Sequence, residues 1–145
     1  MIYYRNDVRR SGVDGRALVA TARRLLGALG ESGAAISLSL VNDATIRELN
    51  RQYRGKDKPT DVLSFELDGT PEGSERLLGD VVISVETARR QAAGYDAPVQ
   101  REIYRLLIHG LLHLKGHDHI EIADRRRMER EERRLAESIA LPWPY

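Results

Sequence analysis

Residues 99–119 read VQREIYRLLIHGLLHLKGHDH. Laid out at 3.6 residues per turn, Val99, Ile103, Leu106, Leu107, Ile108, Leu111, Leu112 and Leu114 leave almost no polar face. The segment therefore predicts a helix buried nearly all round, the central one of its domain. Asp96, with Pro98 two residues later, supplies a start for it. Gly116 allows the chain to leave through a left-handed cap.

All four histidines of the chain fall in this stretch, at 109, 113, 117 and 119. His109 and His113 are four apart and project from one helix face, close enough for two imidazoles to hold one ion. The turn at Gly116 lets His119 fold back as a third ligand. The resulting string, H-x-x-x-H-x-x-G-x-x-H, is the ligand pattern of the metzincin type. Three protein ligands leave a tetrahedral Zn²⁺ one open position, which favours catalysis over structure. A lone histidine on a buried helix is ordinarily a satisfied core residue, and the three-point spacing reverses that expectation. The glutamate that serves metalloproteases as general base after the first histidine is absent. Gly110 stands there, so peptide hydrolysis by the usual route is not expected. His117 reads as an exposed turn residue, an alternate ligand or a proton shuttle, with exposure favoured. Asp118 is placed to orient an imidazole. Glu102, almost two turns before His109, either supports the site or pairs with an arginine such as Arg105, the pair being favoured.

Outward from the helix, residues 2–5 read as a strand and Asp14 to Leu29 as an amphipathic helix closed by Gly30. AAISLSLV at 34–41 alternates apolar and small polar residues, as a half-buried strand does. Asn42 and Asp43 then cap a short helix. DVLSFEL (61–67) and LGDVVISV (78–85) read as further strands, separated by the loop DGTPEGSER (68–76). A helix follows from Glu86 to Ala93, with Gly94 as its cap. The last helix, Ile122 to Ile139, carries the block RRRMEREERR and only a thin apolar stripe, so most of it is solvated. Strands interspersed with helices, then helices alone, predict one α+β domain over residues 1–145 with a mixed sheet of about four strands.

Composition narrows the chemistry. There is no cysteine, which excludes disulfides, thiol nucleophiles and thiolate metal sites. The 145 residues suffice for one core, and 23 Lys and Arg against 22 Asp and Glu leave a net charge of +1, so no general polyanion coat is indicated. No window approaches a membrane span, and a cytoplasmic protein is expected. The locally basic stretch is YRGKDKPTDVLSF (53–65), where Arg54, Lys56 and Lys58 precede a Thr-Asp pair. Basic groups beside a zinc-activated water suit a phosphodiester, whose transition state gathers charge on its oxygens. From Thr60 to Glu86 the balance reverses, with seven acidic residues against Arg76 alone.

HGLLHLKGHDH, YRGKDKPTDVLSF and LGDVVIS together resemble the YbeY family of zinc-dependent endoribonucleases, in that family's order and at similar separations. The resemblance runs from about Asn42 to Met128. It implies a compact α+β metallohydrolase fold, one zinc per chain on His109, His113 and His119, and a functional arginine at Arg54. It also implies cleavage of single-stranded RNA during maturation of the 3′ end of small-subunit ribosomal RNA and in ribosome quality control. Two positions depart from the commoner pattern: His117 replaces a tyrosine, and Glu66 stands where proline is frequent.

The expected mechanism is attack of a zinc-activated water on the phosphodiester, with Arg54 stabilising the phosphoryl oxygens; attack by the RNA's own 2′-hydroxyl is the alternative. The expected partners are single-stranded RNA, ribosomal RNA and ribosome components, with neither membrane nor DNA. The competing reading is a non-enzymatic ribosome assembly factor with structural zinc, and a third is a hydrolase of small phosphoesters or amides.

Overall fold

Alternation in the sequence resolves into a four-stranded mixed sheet in the computed structural model, which describes residues 1–67, 75–118 and 120–143. The order along the chain is β1 (Ile2–Asn6), α1 (Gly15–Ala28), β2 (Ala35–Val41), α2 (Asp43–Arg54), β3 (Val62–Glu66), β4 (Leu77–Ser84), α3 (Val85–Gly94), α4 (Val99–Leu114) and α5 (Ile122–Ser138). In space the strands run β1-β2-β4-β3; the first three are parallel and β3 is antiparallel to β4. The α+β class and the four strands are as the sequence predicts. Part of the 68–76 loop lies outside the described residues.

The two faces of the sheet are unequally covered. Ile36, Leu38, Leu40, Val81 and Ile83 point to one side, where Leu18, Leu25 and Leu26 of α1, Met128 and Leu135 of α5 and the whole middle of α4 close the main core. Val41, Leu63 and Val82 point to the other, where Ile46 and Leu49 of α2 and Phe65 of β3 pack against them. Leu106, Leu107, Ile108, Leu111 and Leu112 are almost completely buried, which makes α4 the central helix its composition predicts.

Local signals explain most boundaries. The Asp14 carboxylate accepts the Ala17 N–H and opens α1, and the Asn42 amide oxygen accepts the Thr45 N–H to open α2 in the same way. Asp43 fastens α2 to α3 by accepting from the Ser84 and Thr87 hydroxyls and from Arg90. Burial alone would raise its pKa, and those donors outweigh it and hold the carboxyl below its ordinary value. One cap differs from expectation. Helix α3 runs through Gly94, and the left-handed residue is Asp96 (φ +53°), so Asp96 ends one helix rather than starting the next. Pro98 alone begins α4, its missing N–H being one that needs no intrahelical partner.

Gly79 marks where β4 departs from regular pairing. Between Leu77 and Asp80 the strand carries one residue more than β2 opposite it, and Gly79 sits at φ +150°. A Cβ there would lie 2.2 Å from the Phe65 carbonyl oxygen.

A histidine and arginine cleft as candidate active site

His109 and His113 stand one turn apart near the C-terminal end of α4, with their Nε2 atoms 3.0 Å from each other. The rings meet edge to face, centroids 4.5 Å apart. Two nitrogens on one tetrahedral zinc at ordinary bond lengths lie about 3.3 Å apart, so the pair fits a shared ion. The distance also suits an N–H···N contact between neutral imidazoles of opposite tautomer.

The helix delivers these rings through two further features. Gly110 faces the sheet, its carbonyl accepting the Ser64 hydroxyl at 3.0 Å, and a Cβ there would meet Val81 Cγ1 at 2.8 Å. The position that holds the protease glutamate is thus pressed against β3 and β4, where a carboxylate side chain has no room. At the end of the helix the Gly116 N–H donates to His113 O and the His117 N–H to Leu112 O, with Gly116 at φ +87°. This is the Schellman turn that the sequence predicts. His117 is half-buried and lines the cleft, where the sequence favours an exposed residue. Asp118 also lines it, and its Oδ1 accepts the Ile120 N–H across a two-residue turn. His119 lies outside the described residues. Among the described residues no group of three or more metal-ligating side chains gathers.

Opposite α4, the cleft of about 660 Å³ is closed by the end of α2, the following loop and β3, with Arg54, Lys56, Lys58, Thr60 and Asp61 on its wall. Gly55 takes φ +69° and ends α2, leaving Arg54 as the last helical residue. One guanidinium nitrogen donates to Ser64 O at 3.0 Å. Ser64 thereby joins the arginine, through its carbonyl, to the histidine helix, through its hydroxyl. The Asn50 amide is buried and donates to Lys58 O at 2.9 Å, which holds the lysine loop. Neither Asn50 nor Ser64 stands out in the sequence. The signal for Ser64 is a small residue at an inward strand position that pairs with a glycine on a buried helix.

Asp61 has its Oδ1 against its neighbour Val62 N–H at 2.7 Å and its Oδ2 on Gln91 at 3.2 Å. Gln91 in turn accepts from Arg105 at 3.4 Å, and Arg105 pairs with the fully buried Glu102. Glu102 therefore takes the arginine partner favoured from its position in the sequence, and it does not line the cleft. On the far side of the turn, Lys115 donates to Glu31 at 2.6 Å, and Arg76 reaches the other oxygen of that carboxylate, also at 2.6 Å. The Lys115 contact, with the Arg76 contact behind it, outweighs burial and keeps the Glu31 carboxyl below its usual range.

The chain is similar to known proteins over nearly its whole length. The family model described as endoribonuclease YbeY matches residues 5–140. An endoribonuclease YbeY of an Anaeromyxobacter species is 53% identical over 126 residues, covering 87% of this chain and 65% of the relative. That of Moorella thermoacetica is 45% identical over 140 residues, covering 88% and 90%. That of Myxococcus xanthus is 52% identical over 122 residues, and there the chain spans only 42% of the relative's length. A solution structure from Thermotoga maritima superposes with a TM-score of 0.66 at 27% identity, covering 96% of this chain and 89% of that one. With the cleft's histidines and arginine carried on these elements, and the match extending from residue 5 to 140, the chain belongs to the endoribonuclease YbeY family.

Proposed function

We propose that the chain is a zinc-dependent endoribonuclease that cuts single-stranded RNA, acting in the cytoplasm on the 3′ end of small-subunit ribosomal RNA and in ribosome quality control. The observation that carries this is one cleft holding converged imidazoles on one wall and Arg54, Lys56 and Lys58 on the other. The endoribonuclease names of the relatives supply the substrate class.

His109, His113 and His119 would hold one zinc per chain. When bound, zinc supplies Lewis acidity towards water and towards a phosphoryl oxygen. Arg54 has five N–H donors and gives one to Ser64 O, so the remaining fork is available to a phosphate. Its charge counters the negative charge that builds on the phosphoryl oxygens as the bond breaks. Lys56 and Lys58, both exposed, attract the flanking phosphates. Asp61 and Asp118 have carboxylate oxygens tied to backbone or amide donors, which fixes their positions beside those cations.

Metal analysis and cleavage of single-stranded against duplex RNA test the reading. His113→Ala is expected to lose metal and activity together, whereas Arg54→Ala keeps its metal and loses most activity. The product end then distinguishes water attack from 2′-hydroxyl attack, the latter leaving a cyclic phosphate. A protein that holds one metal per chain and cuts no RNA, with or without ribosomal subunits, would instead be an assembly factor.

A further inference from the structure

Several arginines elsewhere in the fold have acidic partners. Arg51 pairs with Glu48 on α2, and Arg127 with Asp124 and Arg134 with Glu131 on α5. Helix α1 breaks this habit. Between residues 8 and 30 there are five arginines, at 9, 10, 16, 23 and 24, and one acidic residue, Asp14, whose carboxylate caps the helix. All five are exposed, and among the described residues their guanidinium groups make no ion pair.

Two of them flank a groove. Arg16 and Arg23 lie seven residues apart on one helix face, about 10 Å along the axis. With Asp14, Val19 and the half-buried ring of Tyr4 from β1 they line a depression of about 640 Å³. The ring lies against the start of α1 because residue 15 is glycine, where a Cβ would stand 2.9 Å from Tyr4 Cε2. Two arginines spaced along a groove that a single carboxylate and an aromatic ring also line suit a nucleic-acid strand, phosphates to the arginines and a base to the ring. An anionic membrane fits less well, because none of the exposed large hydrophobic side chains among the described residues lies on α1 to enter an acyl layer.

We infer that the Arg16–Arg23 face of α1, with Tyr4, is a second RNA-docking surface that holds a distal part of the strand engaged in the cleft. The inference rests on the endoribonuclease reading for its partner. β1 and β3 are opposite edges of the sheet, three strand spacings or about 14 Å apart. A strand advances roughly 3.4 Å per phosphate when helical and about twice that when extended, so a trinucleotide seated at the β3 side does not reach α1 and a long strand does.

Binding and cleavage separate the two sites. Binding is measured in an Arg54→Ala background, so that the strand stays intact, with a ~30-nucleotide single-stranded RNA and with a trinucleotide. Adding Arg16→Ala and Arg23→Ala is expected to weaken the long RNA about tenfold and to flatten its dependence of log K on log salt by about 1.4. Trinucleotide affinity is expected to stay the same, as is trinucleotide cleavage by the chain carrying only the two α1 substitutions. Unchanged affinity and salt slope for the long RNA, with cleavage intact, would overturn the α1 surface and leave the function standing. A native chain that neither cuts the trinucleotide nor binds the long RNA would overturn both. Capture by phosphatidylglycerol vesicles that depends on Arg16 and Arg23, with RNA binding unaffected, would make the surface a lipid site and overturn the inference.

Discussion

The wall of the cleft built by α4 and the wall built by the loop after α2 differ in burial, in backbone and in what secures them. On α4 the histidines project from a helix whose other sides are closed off, pressed against β3 and β4 at Gly110. Across from it, Arg54, Lys56 and Lys58 are exposed, and hydrogen bonds from Arg54 to Ser64 O and from Asn50 to Lys58 O, with an exposed Arg47–Asp57 ion pair, anchor that side. An ion is held by ligands placed to tenths of an ångström, and a polymer is held by charges that can follow it. The division of labour matches these needs: the rigid wall carries the imidazoles and the adaptable wall carries the cations.

Substitutions can break that contrast at either wall. Gly110→Glu is expected to be the most damaging, at about 4 kcal/mol or more, because it forces both bulk and charge into the helix–sheet contact. Gly110→Ala should still cost about 1–3 kcal/mol, despite the better helix preference of alanine. Urea denaturation measures both. A neutral Gly110→Ala would show that α4 is not locked to the sheet there.

Arg54→Ala lies on the other wall. It is expected to lower kcat by about 10²–10³, or 3–4 kcal/mol of transition-state stabilisation, while leaving the urea midpoint almost unmoved. A large stability loss would make Arg54 a structural tie instead.

Glu31→Gln sharpens the comparison from behind the rigid wall. It should destabilise the fold by about 2 kcal/mol, because the buried carboxylate loses its charge-assisted bonds to Lys115 and Arg76. The Glu31 pKa is lower in the native state than its reference of 4.5. Its contribution is therefore complete above that reference and is lost as pH falls through the depressed native value. The stability difference between native chain and variant should shrink over that acid window. The smallest effect is expected for Asn50→Ala, about 1 kcal/mol, read as a rise in KM for RNA as the Lys58 loop loses its tie.

Sequence patterning made α4 legible because burial on every side removes polar residues from every side, and the Gly116 turn was legible because the left-handed cap favours glycine. Ser37 and Ser39 likewise appear where strand alternation places them, on the sheet face opposite the main core. Parallel pairing among β1, β2 and β4 was not legible, since alternation reports which face is buried and not which neighbour a strand chooses. The end of α3 was missed because glycine permits a left-handed turn without requiring one, and Asp96 adopts it two residues later. Gly110 carried two meanings. Its sequence shows only a missing acid, whereas the structure shows a helix approaching its sheet too closely for any side chain. His109 and His113 could be picked out by residue type and spacing, and Arg54 by the family resemblance. Ser64, Asn50 and Glu31 could not, because each acts through a partner that only the fold brings near.

The central position of α4 also bears on how the chain comes off the ribosome. β1, β2 and β4 have all been made once residue 84 is added, and their apolar side then has α1 as its one large cover. Helix α4 follows 30 residues later at its last position, on the order of a few seconds at cellular translation rates. During the matching interval outside the ribosome the nascent chain exposes the surface most prone to sticking, so a chaperone that binds extended apolar segments has its best opportunity between the emergence of Ser84 and that of Leu114.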